Sequence, residues 1–492
     1  MASFRSRPPY NGLNTAHLSP KNLGPILPLV PKLMNRRFFI KQAGLAALGF
    51  AGLRSYSLFA EERTTLTPTI VGYGALQPDP ARILDLPEGF SYRVIAEKGR
   101  IMTDGLRLPS RPDGMAAFPG KDGRVILVMN HEIDISATDS DGAFDRDHRL
   151  LTPQIQDQLY DAGVKNPMLG GTTTHIYNPA TGQIEAEYLS LGGTERNCAG
   201  GTTPWGTWIT CEETDNILAG GKWTQDHGYN FEVQATEKVE LQKAIPLKAM
   251  GRFRHEAVAV DPVTSHVYQT EDIPDGAIYR FIPRTPGRLV DGGLLQALAI
   301  KGISKCDTRN WESSTFEEGR SYDVTWVDLD EVESPKDDLR HQAQSKGAAI
   351  FARAEGMWHG NGEIYFACTN GGHIKEGQIF RYRPSGKEGD DGGTLELFVE
   401  SKDASILSYA DNLTISNYGD VIIAEDTYDK RSCRIVGITP QGQCYHIASN
   451  SYNSSELAGV CFSPDYKTLF VNIQKEGITV AIQGPWASRR VS

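Results

Sequence analysis

Residues 197–214 read NCAGGTTPWGTWITCEET. A polar start at Asn197 and Cys198 leads into small residues. Pro204, Trp205 and Gly206 then make a turn, and Trp208 to Thr210 form an apolar run that ends on Cys211, Glu212 and Glu213. Two strand-like runs about a Pro/Gly turn predict an antiparallel hairpin. In a hairpin the start of the first strand and the end of the second share an edge, so Cys198 comes to lie beside Glu212 and Glu213.

The same outline of polar start, apolar strand, turn, apolar strand and polar end recurs. Its other copies are DGMAAFPGKDGRVILVMNHE (113–132), HEAVAVDPVTSHVYQTED (255–272), AEGMWHGNGEIYFACTN (354–370), ADNLTISNYGDVIIAED (410–426) and ELAGVCFSPDYKTLFVNIQ (456–474). Between them lie further strand runs, such as HIYNPATGQIEAEYLSL, AIYRFIP, QIFRYRP and RIVGITPQGQCYHIA, that complete four-stranded sheets. Four-stranded sheets repeated about an axis make a propeller. The expected fold is therefore an all-β, six-bladed β-propeller over residues 61–492, with long inter-blade connections that account for the uneven spacing of the copies. The 50 glycines and 19 tyrosines agree with this class.

If each copy supplies the inner strands of a blade, the polar ends converge on one mouth of the propeller. The residues gathered there are Glu132, Cys198, Glu212, Glu213, Glu256, Glu271, Asp272, Glu355, Asp411, Asn412, Glu425 and Asp426. A single acidic residue at a strand end is commonly a solvated turn residue, and the information lies in the set. Carboxylates crowded at one place repel one another and raise one another's pKa unless cations compensate. Oxygen ligands in this number suit Ca²⁺, whereas a thiolate among them recruits iron or zinc. Cys198 stands where other copies carry acidic groups and is read as a ligand. Cys211 alternates with Glu212 and is read as a small buried residue. The other five of the seven cysteines show no metal spacing, and a Cys433–Cys444 disulfide is one option among them. Arg196, Arg254, Arg353, His131 and His359 lie near the polar ends, either to hold a substrate anion or to neutralise ligand carboxylates.

The 50 Lys+Arg against 61 Asp+Glu give a formal charge of −11, which carries no basic footprint for nucleic acid. NRRFFIKQAGLAALGFAGL has the paired Arg36-Arg37 followed by a weakly apolar run too short to span a bilayer. Residues 1–60 thus read as a twin-arginine export signal, with Met34 as an alternative start. The mature chain is expected to be a soluble monomer without a membrane anchor, exported by the Tat machinery to the periplasm or cell surface.

The blocks NCAGGTTPWGTWITCEE, RHEAVAVDP, YQTEDIPDGAIYRFIP, RAEGMWHGNGEIYFACT, ADNLTISNYGDVIIAED and SPDYKTLFVNIQ resemble the PhoX-type alkaline phosphatase family from about Leu86 to Ile482. The resemblance implies a Tat-exported propeller that hydrolyses phosphate monoesters with a cluster of two ferric ions, three calcium ions and a bridging oxo group. It puts the iron-bound cysteine at Cys198. Its carboxylates fall at Glu212 or Glu213, Glu271 with Asp272, Glu355, Asp411 and Glu425, and its phosphate-binding arginine falls at Arg353. A lysine expected upstream of Cys198 is missing from EAEYLSLGGTERN, where Arg196 is the available cation. The alternatives are a phosphodiesterase on the same cluster, a calcium-dependent lactonase or phosphotriesterase propeller, and a non-catalytic propeller with structural metals.

Overall fold

Six hairpins supply the inner strands of six blades. Their first strands are Pro112–Pro119, Asn197–Thr202, His255–Val260, Ala354–Gly360, Ala410–Ile415 and Leu457–Phe462, for blades 1 to 6 in order. Each pairs antiparallel with the strand that follows it. Each first strand also packs against the first strands of the two neighbouring blades, and blade 6 returns to blade 1, so the ring closes. The structure is a computed structural model that describes residues 71–492 apart from 139–140, 145–149, 218–222, 386–391, 428–430 and 491–492. The twin-arginine stretch lies outside the described residues.

Local sequence explains the hairpins. In blade 4, Asn361 and Gly362 take φ of 56° and 77° between the paired residues Gly360 and Glu363. That is the two-residue turn that Asn-Gly favours, because both positions need the left-handed region. In blade 2, Gly206 at φ 83° closes the turn, and Thr203 binds the Thr207 N–H through its hydroxyl at 3.0 Å.

The blades are not uniform. Blade 6 is completed by the N-terminal strand Ser91–Glu97, which pairs with Ile478–Gln483 and joins the two ends of the propeller. Blade 2 has three strands, not four. The segment that runs along its outer edge reaches Asn230 through the Leu247 N–H, but Pro246, opposite Phe231, has no N–H to extend a ladder. An added strand, Ser321–Asp328, pairs with the outer strands of both blade 3 and blade 4 and fuses them into one nine-stranded sheet.

The axis is filled. A Cβ on Gly114 would lie 2.5 Å from Ala199 Cα, and one on Gly459 would lie 2.1 Å from Asp113 O. Only glycine lets neighbouring inner strands approach so closely. Below this ring of small residues a cavity of about 20 Å³, lined by Met115, Trp208, Met357 and Trp358 among others, has room for about one water. Trp358 packs both with the apolar cluster of blades 1 and 2 and with that of blades 4 and 5, so its ring crosses the axis.

All seven cysteines are free. Cys433 meets Asn450 through its carbonyl, whereas Cys444 pairs with Ile438 at the other end of the same strand pair. Five to six residues of extended chain, roughly 17–20 Å, separate them, far beyond the reach of a disulfide.

Candidate metal centre

All six inner strands carry a register shift near their first residues: at Pro112/Met115, Asn197/Gly200, His255/Val258, Ala354/Met357, Ala410/Leu413 and Ala458/Cys461. A bulge re-aims side chains that would otherwise alternate across the sheet. In five blades the second residue of the strand stands in the bulge, and it is Asp113, Cys198, Glu256, Glu355 or Asp411. In blade 6 the second residue, Ala458, pairs with Asn472 just ahead of the bulge, and Glu456, just before the strand, supplies the carboxylate.

Neighbouring blades hold the bulges in place. Asn130 of blade 1 donates to Cys198 O and Ala199 O at 3.1 and 2.7 Å. Thr270 of blade 3 donates to Glu355 O at 2.6 Å, and Thr369 of blade 4 donates to Ala410 O at 2.6 Å. Asn472 of blade 6 donates to Asp113 O at 2.6 Å. From blade 2 the contact to blade 3 comes from Cys198 itself, whose Sγ lies 3.3 Å from His255 O.

Three groups of side chains converge, with candidate ligand atoms in each within 4.8 Å of one another: Cys198, Glu213 and Glu256; Asp113, Glu132 and Glu456; Glu256, Glu355 and Asp411. Glu256 belongs to two of them. Burial first, and then mutual repulsion, push the carboxyls of Asp113, Glu256 and Glu456 well above the usual range. Burial likewise leads for Glu213, Glu355 and Asp411, where an arginine pulls the other way and fails to offset it. The Cys198 thiol is raised by burial and by Glu256 and Glu213. Ionised carboxylates and a thiolate are therefore stable here only with cations among them. The donor set of one sulfur and many oxygens fits a mixed cluster of a thiophilic and a hard metal.

Two arginines touch this set. Arg196 donates to Glu132 Oε1 at 2.8 Å and to Glu213. Arg353 donates to Asp272 Oδ1 at 2.8 Å and to Glu355 Oε1 at 2.8 Å. Arg254 stands further out, paired with Asp215 at 3.2 Å.

Other candidates from the sequence lie outside the three groups. Glu212 accepts bonds from the N–H groups of Glu195, Gly228 and Tyr229 and from His227. Glu271 accepts from Ala277 N–H and the Tyr279 hydroxyl, and burial pushes its pKa up to about 7. Glu425 is held by Arg434 and by Ser408 N–H. Asn412 binds Gly459 N–H at 2.5 Å and ties blade 5 to blade 6. His131 is buried between Ser110 O and Thr173, and burial pushes its pKa down to about 3. His359 is the sixth residue of the strand Ala354–Gly360, at the end away from the mouth. Asp426 is close enough to raise the pKa of both Asp411 and Glu456.

Asp113 and Glu456 were missed in the sequence, although the signal was present. Aligned on their small residues, DGMAAF places Asp113 in the column occupied by Cys198, Glu256, Glu355 and Asp411, and ELAGVCF places Glu456 two residues before it.

A propeller whose six inner strands bring a thiol, buried carboxylates and arginines to one mouth defines the class of metal-dependent propeller hydrolases. A family model described as alkaline phosphatase PhoX matches residues 71–477. The chain belongs to this family and is a metal-dependent alkaline phosphatase, a phosphomonoesterase. Among solved structures it is similar to Pseudomonas fluorescens PhoX in complex with vanadate, a transition state analogue. The identity is 17%, with 85% of this chain and 98% of that chain covered and a TM-score of 0.61. It is more distantly similar to a gluconolactonase from Xanthomonas campestris, with 10% identity, 84% and 98% covered and a TM-score of 0.40. No curated protein matches.

Proposed function

We propose that the mouth holds an iron–calcium cluster and that the protein is an exported enzyme that prefers phosphate monoesters to diesters. The observation that carries this is the convergence of Cys198, Glu213 and Glu256 beside two all-oxygen groups, with Arg196 and Arg353 bonded to carboxylates of the same set. Cys198 with Glu213 and Glu256 suits iron. Asp113, Glu132 and Glu456, and Glu355 with Asp411, suit calcium. The family resemblance supplies the stoichiometry of two ferric ions, three calcium ions and a bridging oxo group. Bound there, the ions would provide Lewis-acid neutralisation of the phosphoryl oxygens and activation of water.

The residues of the chain do the rest. Arg196 and Arg353, each fixed by two carboxylates, direct guanidinium N–H groups at the equatorial oxygens of a phosphoryl dianion. Their fixed rotamers mean that little ordering is left to be done when substrate arrives. The bulges and the bonds from Asn130, Thr270, Thr369 and Asn472 hold the ligand positions rigid. The filled axis keeps bulk water from reaching the site from below. An alkaline optimum follows from the need for a deprotonated nucleophile and a dianionic substrate. The Arg36-Arg37 signal, which directs folded cargo, fits a protein loaded with metal before export to the periplasm or cell surface.

Elemental analysis of the purified protein, alongside assays with p-nitrophenyl phosphate and bis-p-nitrophenyl phosphate, tests the reading. Iron and calcium together with monoester preference are expected. Absence of iron would remove the cluster assignment, and diester preference would make the enzyme a phosphodiesterase.

A further inference from the structure

One turn recurs just before the ligand-bearing bulges. Arg111, Arg196, Arg353 and Tyr409, two residues ahead of Asp113, Cys198, Glu355 and Asp411, take φ of 48°, 48°, 48° and 47°. Each offers its carbonyl to the N–H of the residue just past the second strand of its own hairpin: Glu132, Glu213, Thr369 and Asp426. Non-glycine residues rarely adopt this backbone, and such outliers cluster where a site is built. Blade 3 has Arg254 at the same place, two residues before Glu256. Four consecutive blades thus present an arginine at one structural position.

Three of these arginines are committed. Arg196 serves Glu132 and Glu213, Arg353 serves Asp272 and Glu355, and Arg254 serves Asp215. The Arg111 side chain makes no hydrogen bond or ion pair among the described residues.

Its location follows from the backbone. The segment Glu132–Asp134 runs between the two turns, with Glu132 N–H on Arg111 O and Arg196 N–H on Ile133 O, both at 3.0 Å. Asp134 feels the charge of both guanidinium groups, and Asp141 feels that of Arg111. Neither acid engages Arg111 directly. Asp134 is taken up by Ser136, and Asp141 by Ser110 and Thr138. None of Asp113, Glu132 and Glu456 bonds the Arg111 guanidinium, whereas Glu132 and Glu213 hold that of Arg196. Like Arg196, Arg111 is partly exposed, and its turn lies next to that of Arg196, with only the Glu132–Asp134 segment between them.

We propose that Arg111 sets specificity: it binds an anionic group on the leaving-group side of the substrate, so the enzyme favours phosphate monoesters that carry a second anion. The proposal rests on the monoesterase reading above. A matched pair of substrates tests it, 3-phosphoglycerate and glycerol 3-phosphate, which differ by a carboxylate in place of a hydroxymethyl group. Steady-state kinetics are measured on the metal-loaded full chain, on Arg111→Gln and on Arg111→Lys. In Arg111→Gln the ratio of kcat/KM for 3-phosphoglycerate to that for glycerol 3-phosphate should fall about tenfold, through KM. Arg111→Lys, which keeps the charge, should lie between that variant and the wild type. An unchanged ratio in Arg111→Gln, whether both substrates lose equally or neither loses, overturns the proposal. A wild-type enzyme that hydrolyses neither ester overturns the monoesterase reading, and this proposal with it.

Discussion

Glu212 and Glu213 are neighbours in the chain and have opposite occupations. The same split recurs at Glu271 with Asp272 and at Glu425 with Asp426. In each pair the first residue ends the strand, is buried, and pins the following connection through backbone N–H groups or neighbouring side chains. The second residue lies past the strand end and faces the mouth or the residues that line it. The first carboxylate of each pair is matched by donors of its own blade's connection, whereas Glu213 and Asp272 share the arginines of the mouth with other carboxylates. Two acids side by side therefore need opposite tests, one of folding and one of chemistry.

The largest expected effect falls on the mouth. Cys198→Ala and Glu213→Gln should lower kcat by about a thousandfold or more and reduce bound metal. The metal-free Glu213→Gln protein should be at least as stable as metal-free wild type, because a repelling carboxylate has gone. A chemical denaturation series in chelator measures this, and a clear loss of stability would place Glu213 in the structural class.

Glu212→Gln should do the reverse. It leaves His227 buried beside Asp161 without its nearer partner, at 2.7 Å, and should cost about 3 kcal/mol of stability. The folded fraction should keep most of its activity at low temperature, and total loss of activity in folded protein would erase the distinction.

The pH dependence sharpens the contrast. Burial alone would lower the His227 pKa, but Glu212 and Asp161 raise it to about 10. A raised histidine stabilises fully below its unfolded value near 6.5, and that contribution fades as pH rises, ending above about 10. Asp161 runs the other way. Burial opposes the shift, yet His227 and Thr224 bring its pKa down to about 2, so its contribution holds above the unfolded value and is lost as pH falls through 2. Melting temperatures of wild type should therefore decline between pH 7 and 10 more steeply than those of His227→Gln. At the mouth, removal of metal near neutral pH should instead take up protons, since the emptied carboxylates and the thiol have raised pKa values. Calorimetry in buffers of different ionisation enthalpy would count them.

The smallest effect belongs to residues between the two classes. Thr270→Val removes the bond to Glu355 O. It should cost about 1 kcal/mol of stability and a few-fold in kcat, and a change in stability without any in kcat would show that the bulge is not held by this bond.

The sequence made the blades legible because each hairpin carries its own alternation and turn, and the mouth followed from hairpin geometry alone. Which acid of a pair faces the mouth was not legible. Alternation fixes only relative parity, and the bulge at the start of every inner strand breaks the count that would carry parity across the hairpin. Asp113 could have been found by aligning the copies column by column, whereas Glu456 stands two residues ahead of its column, which holds Ala458. The missing fourth strand of blade 2 turns on one proline, and the Ser321–Asp328 strand pairs only with distant segments, which local pattern does not reveal.

The Trp358 ring across the axis gives the propeller the topology of a cup and not of a pipe. In the reading proposed above, ester would enter and phosphate would leave through the same opening, past the same arginines. Traffic is then two-way at a single doorway, so phosphate should act as a competitive inhibitor.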